Sequence, residues 1–221
     1  MKIIAVADVH SPKFLREFDE SLSIHDKPDL ILLAGDMINF GKASEYTTII
    51  EVVHRNFIDI PIYACFGNEE KLSIRADILN LMNDYIIFLN ETNVLIESDE
   101  MTLGIIGMPS IVGILDKYEK VSGEMKQIFQ KRSSNLREIL TQTVQEADKT
   151  IFLTHYNPVI EGFNGGRSFS WWSSEIFKES KPDFIIHGHT HRQDPAEIVI
   201  NGIRILNVAF PVSRSVTELK L

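Results

Sequence analysis

The sequence predicts an α/β fold of two stacked β-sheets with helices outside. Three observations predict it. The first third alternates short apolar runs with amphipathic segments of helical period, the pattern of parallel β-α units. The last third holds closely spaced strand-like runs, two of them joined by an Asn201-Gly202 hairpin signal. The 221 residues, 44% hydrophobic and 24% charged, suffice to bury a sizeable core.

The elements follow in order. Residues 3–7 are apolar and read as a strand. Ser11-Pro12 looks like a helix cap with proline at the first helical position, and Phe14, Leu15 and Phe18 form an apolar stripe behind it. Strands at 30–34 and 60–66 are each followed by a helix, at 43–55 and 74–83. The middle changes rhythm: 86–89, 93–97 and 101–106 are short strand candidates between polar turns, closer to a meander. A polar stretch of helical period runs over 115–147, with Ser122-Gly123 and Ser133-Ser134 as candidate breaks. Strands return at 150–154 and 183–187, and three more close the chain at 196–200, 203–208 and 212–219. There is no internal repeat or low-complexity linker, so residues 1–221 read as a single domain.

Composition excludes several classes. Lys and Arg number 22 against 31 Asp and Glu, for a net charge of -9. Such a surface argues against tight binding to a nucleic-acid backbone, where phosphate neutralisation supplies much of the affinity. A small anionic substrate stays compatible, because bound metal ions can reverse the local potential. Cys65 is the single cysteine, so no internal disulfide is expected. No stretch approaches the roughly 18 apolar residues of a membrane span, and the opening run is too short for a signal peptide. The chain reads as soluble and cytoplasmic, with a homo-oligomer left open.

Five short fragments carry the chemistry: Asp8-Val9-His10, Gly35-Asp36, Gly67-Asn68, His155 and Gly188-His189-Thr190-His191. Each follows an apolar run that reads as a buried strand. Open α/β sheets build their sites outside the carboxyl ends of strands. Residues two apart in extended chain point the same way, which would converge Asp8 with His10 and His189 with His191. Singly, Asp-x-His and Gly-Asp are weak signals and Gly-Asp is an ordinary turn dipeptide. Together they form a ligand inventory for two neighbouring metal ions. Imidazole, carboxylate and amide oxygen suit divalent Mn, Fe, Ni, Co or Zn. Two such ions ~3.5–4 Å apart can clamp a phosphoryl group and acidify a bridging water. Asp36 is the natural bridging carboxylate.

In order and content these fragments, with Thr154 before His155, resemble the calcineurin-like metallophosphoesterase superfamily over nearly the whole chain. The segment Thr154-His155-Tyr156-Asn157-Pro158 and the small size look most like compact prokaryotic phosphoesterases related to the cyclic-nucleotide phosphodiesterase branch. The resemblance implies a four-layer αββα sandwich. It implies one ion held by Asp8, His10, Asp36 and His191 and a second by Asp36, Asn68, His155 and His189. It further implies attack by a metal-bridging hydroxide on a phosphodiester or phosphomonoester, with Asp36, Asn68 and His155 as catalytic residues. One departure stands out. The family often reads Gly-Asn-His followed by an acidic residue, whereas here the stretch is Gly67-Asn68-Glu69-Glu70. Glu69 takes the place of a histidine that would contact phosphate. Two nearby cations would keep it ionised, so general-acid help is weak or comes from elsewhere, and good leaving groups are favoured.

Other features frame that centre. Residues 161–175 hold both tryptophans, Trp171 and Trp172, with Arg167 and a Gly165-Gly166 hinge. They read either as a packed loop whose tryptophans anchor a helix or as a rim where Arg167 meets phosphate. Lys117, Lys120, Lys126, Lys131, Arg132 and Arg137 read as a solvated face or a cap over the cleft. His25 and His54 read as surface residues, His187 as structural and Cys65 as core. Two rival functions share the resemblance: a binding scaffold with weak catalysis, for which Glu69 leaves room, and a nuclease, which the acidic charge disfavours.

Overall fold

The computed structural model of the chain describes residues 1–108, 123–161, 167–192 and 196–221. The first apolar run forms β1 (Lys2–Val6). It is followed in alternation by α1 (Leu15–Ser23), β2 (Leu30–Leu33), α2 (Glu45–Asn56), β3 (Ile62–Ala64), α3 (Leu72–Met82) and β4 (Ile87–Phe88). Next come β5 (Thr92–Glu97), β6 (Thr102–Met108), α4 (Gly123–Glu146), β7 (Lys149–Thr154), β8 (Val159–Glu161) and β9 (Arg167–Phe169). The chain closes with α5 (Trp171–Ile176), β10 (Phe184–His187), β11 (Glu197–Ile200), β12 (Ile203–Asn207), α6 (Phe210–Ser213) and β13 (Thr217–Lys220).

Two mixed sheets result, ordered β13-β1-β2-β3-β4 and β11-β12-β10-β7-β6-β5, with β8-β9 as a separate hairpin. Strand alternation sorts their side chains into three apolar layers. Ile4, Val6, Ile31 and Leu33 pack with Phe18 and Leu22 of α1, Ile49 and Val53 of α2, and Ile78 of α3. Ile3, Ala5, Leu30 and Leu32 turn the other way and meet Leu103, Ile105, Ile151, Leu153 and Ile186 of the second sheet. On that sheet's outer face, Ile106, Phe152, Ile185 and Ile205 pack with Leu136 and Leu140 of α4 and Trp172 and Ile176 of α5. Helix, sheet, sheet, helix is thus the order of the layers. Central strands buried on both faces explain why they read as continuous apolar runs.

The structure corrects several sequence expectations. Ser11 does not cap α1, which starts at Leu15 with Phe14 in the cap position. Ser11 is committed elsewhere: its N–H donates to the Met37 carbonyl (2.9 Å) and its hydroxyl to Glu45 Oε2 (2.8 Å). The strand at 86–89 belongs to no meander. It pairs in parallel with β3, and the Leu89 N–H donates to the Ala64 carbonyl at 2.8 Å. Ser133-Ser134 lies within α4 and does not break it. The last run divides into α6 and β13, and β13 returns to the first sheet antiparallel to β1. The Asn201-Gly202 turn is as expected, both residues taking positive φ (53° and 85°) between antiparallel β11 and β12. Lys117, Lys120, Ser122 and Gly165-Gly166 lie outside the described residues, as does the Trp171 side chain.

Candidate metal centre

The five fragments leave the carboxyl ends of β1, β2, β3, β7 and β10 and so collect at one rim of the two sheets. β1 ends at Val6, and Asp8 and His10 have φ of 60° and 47°. They therefore converge through left-handed backbone, not through strand alternation. Asp36 (φ 52°) and His189 (φ 64°) are also left-handed. Hydrogen bonds between the loops hold these conformations. The Asp8 N–H donates to the Gly35 carbonyl (3.0 Å) and the His10 N–H to the Asp36 carbonyl (3.1 Å). Non-glycine residues in this region carry strain that persists only where the surroundings over-determine it. Gly35 (φ 82°) packs so closely that an added Cβ would lie 2.6 Å from the Gly67 nitrogen and 2.9 Å from His155 Nδ1.

The donor atoms meet in two groups, Asp8 with His10 and His191, and Asp8 with Asp36 and His155, each within 4.8 Å of one another. Asp8 Oδ1 lies 2.8 Å from His191 Nε2 and 3.6 Å from His10 Nε2, while its Oδ2 accepts the His189 N–H at 2.9 Å. Asp36 Oδ2 lies 3.4 Å from His155 Nε2. Asn68 Oδ1 sits between two imidazoles, 3.2 Å from His155 Nε2 and 3.0 Å from His189 Nδ1. All seven sequence-selected ligand candidates are therefore brought together. Asp8, Asp36 and His155 are buried, and His191 is exposed.

The charges are strongly coupled. Burial would raise the Asp8 pKa, but its contacts with His10 and His191 hold it well below the usual carboxylate range. Burial would lower that of His155, yet Asp36, in contact, and the charge of Asp8 push it up to about 9. Burial opposes the His10 shift too, and Asp8 raises it. His189 is pushed down by burial and by His155. Outer contacts orient the donors. His155 Nδ1 donates to the Ala34 carbonyl at 2.9 Å, which turns Nε2 toward the carboxylates. Glu70, wholly buried, accepts from the N–H groups of Asp36 (2.8 Å), Gly67 (2.8 Å) and Met37 (2.9 Å) and from the Tyr46 hydroxyl (3.2 Å). Burial and the neighbouring Asp36 push its pKa up, and those amide donors oppose the shift.

A family model described as calcineurin-like phosphoesterase matches residues 1–193. The chain belongs to the calcineurin-like phosphoesterase family. Phosphodiesterase YaeI of Escherichia coli K12 is 35% identical over 74 residues, a stretch covering 32% of this chain and 27% of YaeI. The match thus spans about a quarter of that curated relative. Among solved structures, TT1561 of Thermus thermophilus superposes with a TM-score of 0.64 at 15% identity, covering 99% of this chain and 98% of its own. Phosphopantetheinyl hydrolase PptH of Mycobacterium tuberculosis superposes with a TM-score of 0.56 at 12% identity, covering 94% and 88%. These structures share the fold. This family is metal-dependent, and the cluster fits a divalent ion on its own chemistry. Buried carboxylates and imidazoles compete for the same protons, and buried His10 Nδ1 has no hydrogen-bond partner among the described residues.

Residues beside the cluster refine the sequence reading. Glu69 donates its N–H to Asp36 Oδ1 (2.8 Å) and accepts the Phe40 N–H on its carboxylate (3.0 Å). Arg167 lies 3.3 Å from Glu161 and helps wall a neighbouring cavity with Asn157, His187 and Asn207, which includes none of the seven. Trp172 is fully buried in the outer core, as an anchor should be. His187 is buried, pushed down to about 4 by that burial, and donates Nδ1–H to the Gly188 carbonyl, which fits its structural reading. Cys65 is core. His25 and His54 are half-buried and not freely exposed; His25 contacts Glu218 (3.2 Å) and His54 packs on Tyr85. Sequence reading passed over Tyr156, whose ring lies 4.5 Å from His189, although it directly follows His155. No helix among the described residues is long and apolar enough to cross a membrane.

Proposed function

We propose that the chain is a dinuclear metal-dependent phosphoesterase acting on a small-molecule or nucleotide phosphoester, with diesters favoured over monoesters. One divalent ion (Mn, Fe, Ni, Co or Zn) would be held by Asp8, His10, Asp36 and His191. A second would be held by Asp36, Asn68, His155 and His189. Bound there, such ions supply charge neutralisation for the phosphoryl group and a low-pKa water. The rest falls to the chain. Asp36 offers both carboxylate oxygens, the Ala34 carbonyl fixes His155, and Asn68 binds beside both imidazoles. Arg167 is the candidate to meet phosphate at the rim. We take residues 1–221 as one domain and the cytoplasm as its location.

The observation that carries this reading is the convergence of buried Asp8, Asp36 and His155 with donor atoms within 4.8 Å of one another. Two buried carboxylates beside a single buried imidazole leave net negative charge, which is costly unless a cation joins them. The YaeI likeness supports the preference for diesters. The test is hydrolysis of bis-p-nitrophenyl phosphate and p-nitrophenyl phosphate by metal-stripped protein, with Mn, Ni, Co, Zn and Mg added back singly. Metal-dependent turnover that Asp36→Asn abolishes supports the reading. Two bound ions per chain without turnover would replace it with a binding scaffold.

A further inference from the structure

We infer that Phe40 forms an aromatic wall of the substrate cleft, held by Glu69, and that the site takes phosphoesters bearing an aromatic or other planar substituent. The inference rests on the phosphoester reading of the centre around Asp36. Phe40 is 78% exposed, although Met37 and Ile38 just before it are wholly buried. Leaving such a ring in water forgoes the favourable burial of a large apolar surface. Its backbone is also unusual. Phe40 has a φ of 55°, in the left-handed region where a bulky side chain is strained. Such strain persists only when contacts impose it.

Those contacts are visible and lead back to the metal centre. The Phe40 N–H donates both to Glu69 Oε2 (3.0 Å) and to Asn39 Oδ1 (3.1 Å). Glu69 in turn donates its own N–H to Asp36 Oδ1 at 2.8 Å. One residue therefore joins a candidate bridging carboxylate to the backbone of the exposed ring. A second tie is independent of it. The Asn39 N–H donates to the Ser11 carbonyl (3.1 Å) and the Ser11 N–H to the Met37 carbonyl (2.9 Å), which fastens the loop beside His10. The chain thus fixes the backbone of an exposed aromatic residue two hydrogen bonds away from Asp36. The Glu69 substitution acquires a role by the same geometry: its carboxylate is engaged by an amide, so it serves as a positioning residue. A planar group on the ester would cover the ring by stacking.

The test measures discrimination by the metal-loaded protein between phenylphosphonate and methylphosphonate, using titration calorimetry. Phenylphosphonate is expected to bind about tenfold more tightly, the scale of one aromatic contact. The ratio should fall to near one in Phe40→Ala and Glu69→Ala. It should survive in Glu69→Gln, whose amide oxygen still accepts the Phe40 N–H. A wild-type ratio near one, or one unmoved in Phe40→Ala, overturns the aromatic wall. A ratio lost equally in Glu69→Gln and Glu69→Ala overturns positioning through the hydrogen bond. Failure to bind either phosphonate removes the phosphoester reading and this inference together. The expected ratios without hydrolysis of bis-p-nitrophenyl phosphate would uphold the wall and overturn only the hydrolase.

Discussion

Glu70 fixes the loop that carries Asp36 by gathering four amides and a hydroxyl onto one buried carboxylate. Glu70→Gln would turn an NH2 group toward those donors and strand at least one of them. A buried unsatisfied group costs about 1–3 kcal/mol, so a loss in that range should appear in urea denaturation. Tyr46→Phe removes a single neutral donor and should cost about 1 kcal/mol. A Glu70→Gln loss below about 1 kcal/mol would deny Glu70 its central role. Glu69 leads to a different expectation. With its carboxylate turned to the Phe40 amide, Glu69 is not placed to protonate a departing alkoxide. Aryl phosphoesters should then turn over at least about a hundredfold faster than alkyl ones, and equal kcat values would contradict this. Residue identity made the seven candidate donors legible in the sequence, because Asp, His and Asn after apolar runs have few other uses in that number. Phe40 and Tyr46 were not legible. An exposed aromatic and a buried hydroxyl carry no periodic signal.

Among the elements, strand order at the start was readable because parallel strands buried on both faces leave continuous apolar runs. Pairing partners were less so. The 86–89 run gives no sign of which sheet it joins, since two paired residues hold little pattern. The loops hid their backbone: Asp8 and His10 meet through positive φ and not through strand alternation, and His189 also has positive φ. Gly35 shows how tightly this is built. Gly35→Ala combines a φ of 82° with a Cβ 2.6 Å from the Gly67 nitrogen. We expect a loss of at least about 2 kcal/mol and reduced metal content by elemental analysis, because relief must displace Gly67 or His155. Undiminished metal with unchanged stability would show that the loops yield freely. At the far end of β1, Glu218 of β13 contacts Lys2, Lys220 and His25, each at 3.2 Å. Lys2, then Lys220 and His25, lower its pKa from 4.5 to about 2. Because the folded value is depressed, the contribution is present above pH 4.5 and lost as pH falls toward 2. Side-chain NMR titration should find Glu218 near 2, and Lys2→Met should raise it. A wild-type value near 4.5 would remove the clamp.

At the scale of the molecule, the candidate ligands come from both sheets: β1, β2 and β3 lead to Asp8, His10, Asp36 and Asn68, while β7 and β10 lead to His155, His189 and His191. The layer between the sheets is apolar and joins them without direction. The rim adds what that layer lacks, contacts that fix one sheet against the other, such as Asp8 with His191 at 2.8 Å and Asp36 with His155 at 3.4 Å. A divalent ion at such a rim would tie the sheets together, and an unfolded chain offers no matching site. Ion binding should therefore stabilise the fold by mass action, about 2.7 kcal/mol at a hundredfold excess over Kd. For a chain of this size that is a rise of roughly 5–10 °C in Tm. Scanning calorimetry of chelated and Mn-loaded protein reads it directly. Asp8→Asn and Asp36→Asn should lose most of the rise. Gly202→Ala provides the contrast, since it sits in the β11-β12 hairpin with φ 85° and open space around it. It should lower Tm through backbone strain alone and keep the full metal-dependent rise. Coincident chelated and loaded midpoints in the wild type would mean that the two sheets owe nothing to the rim they share.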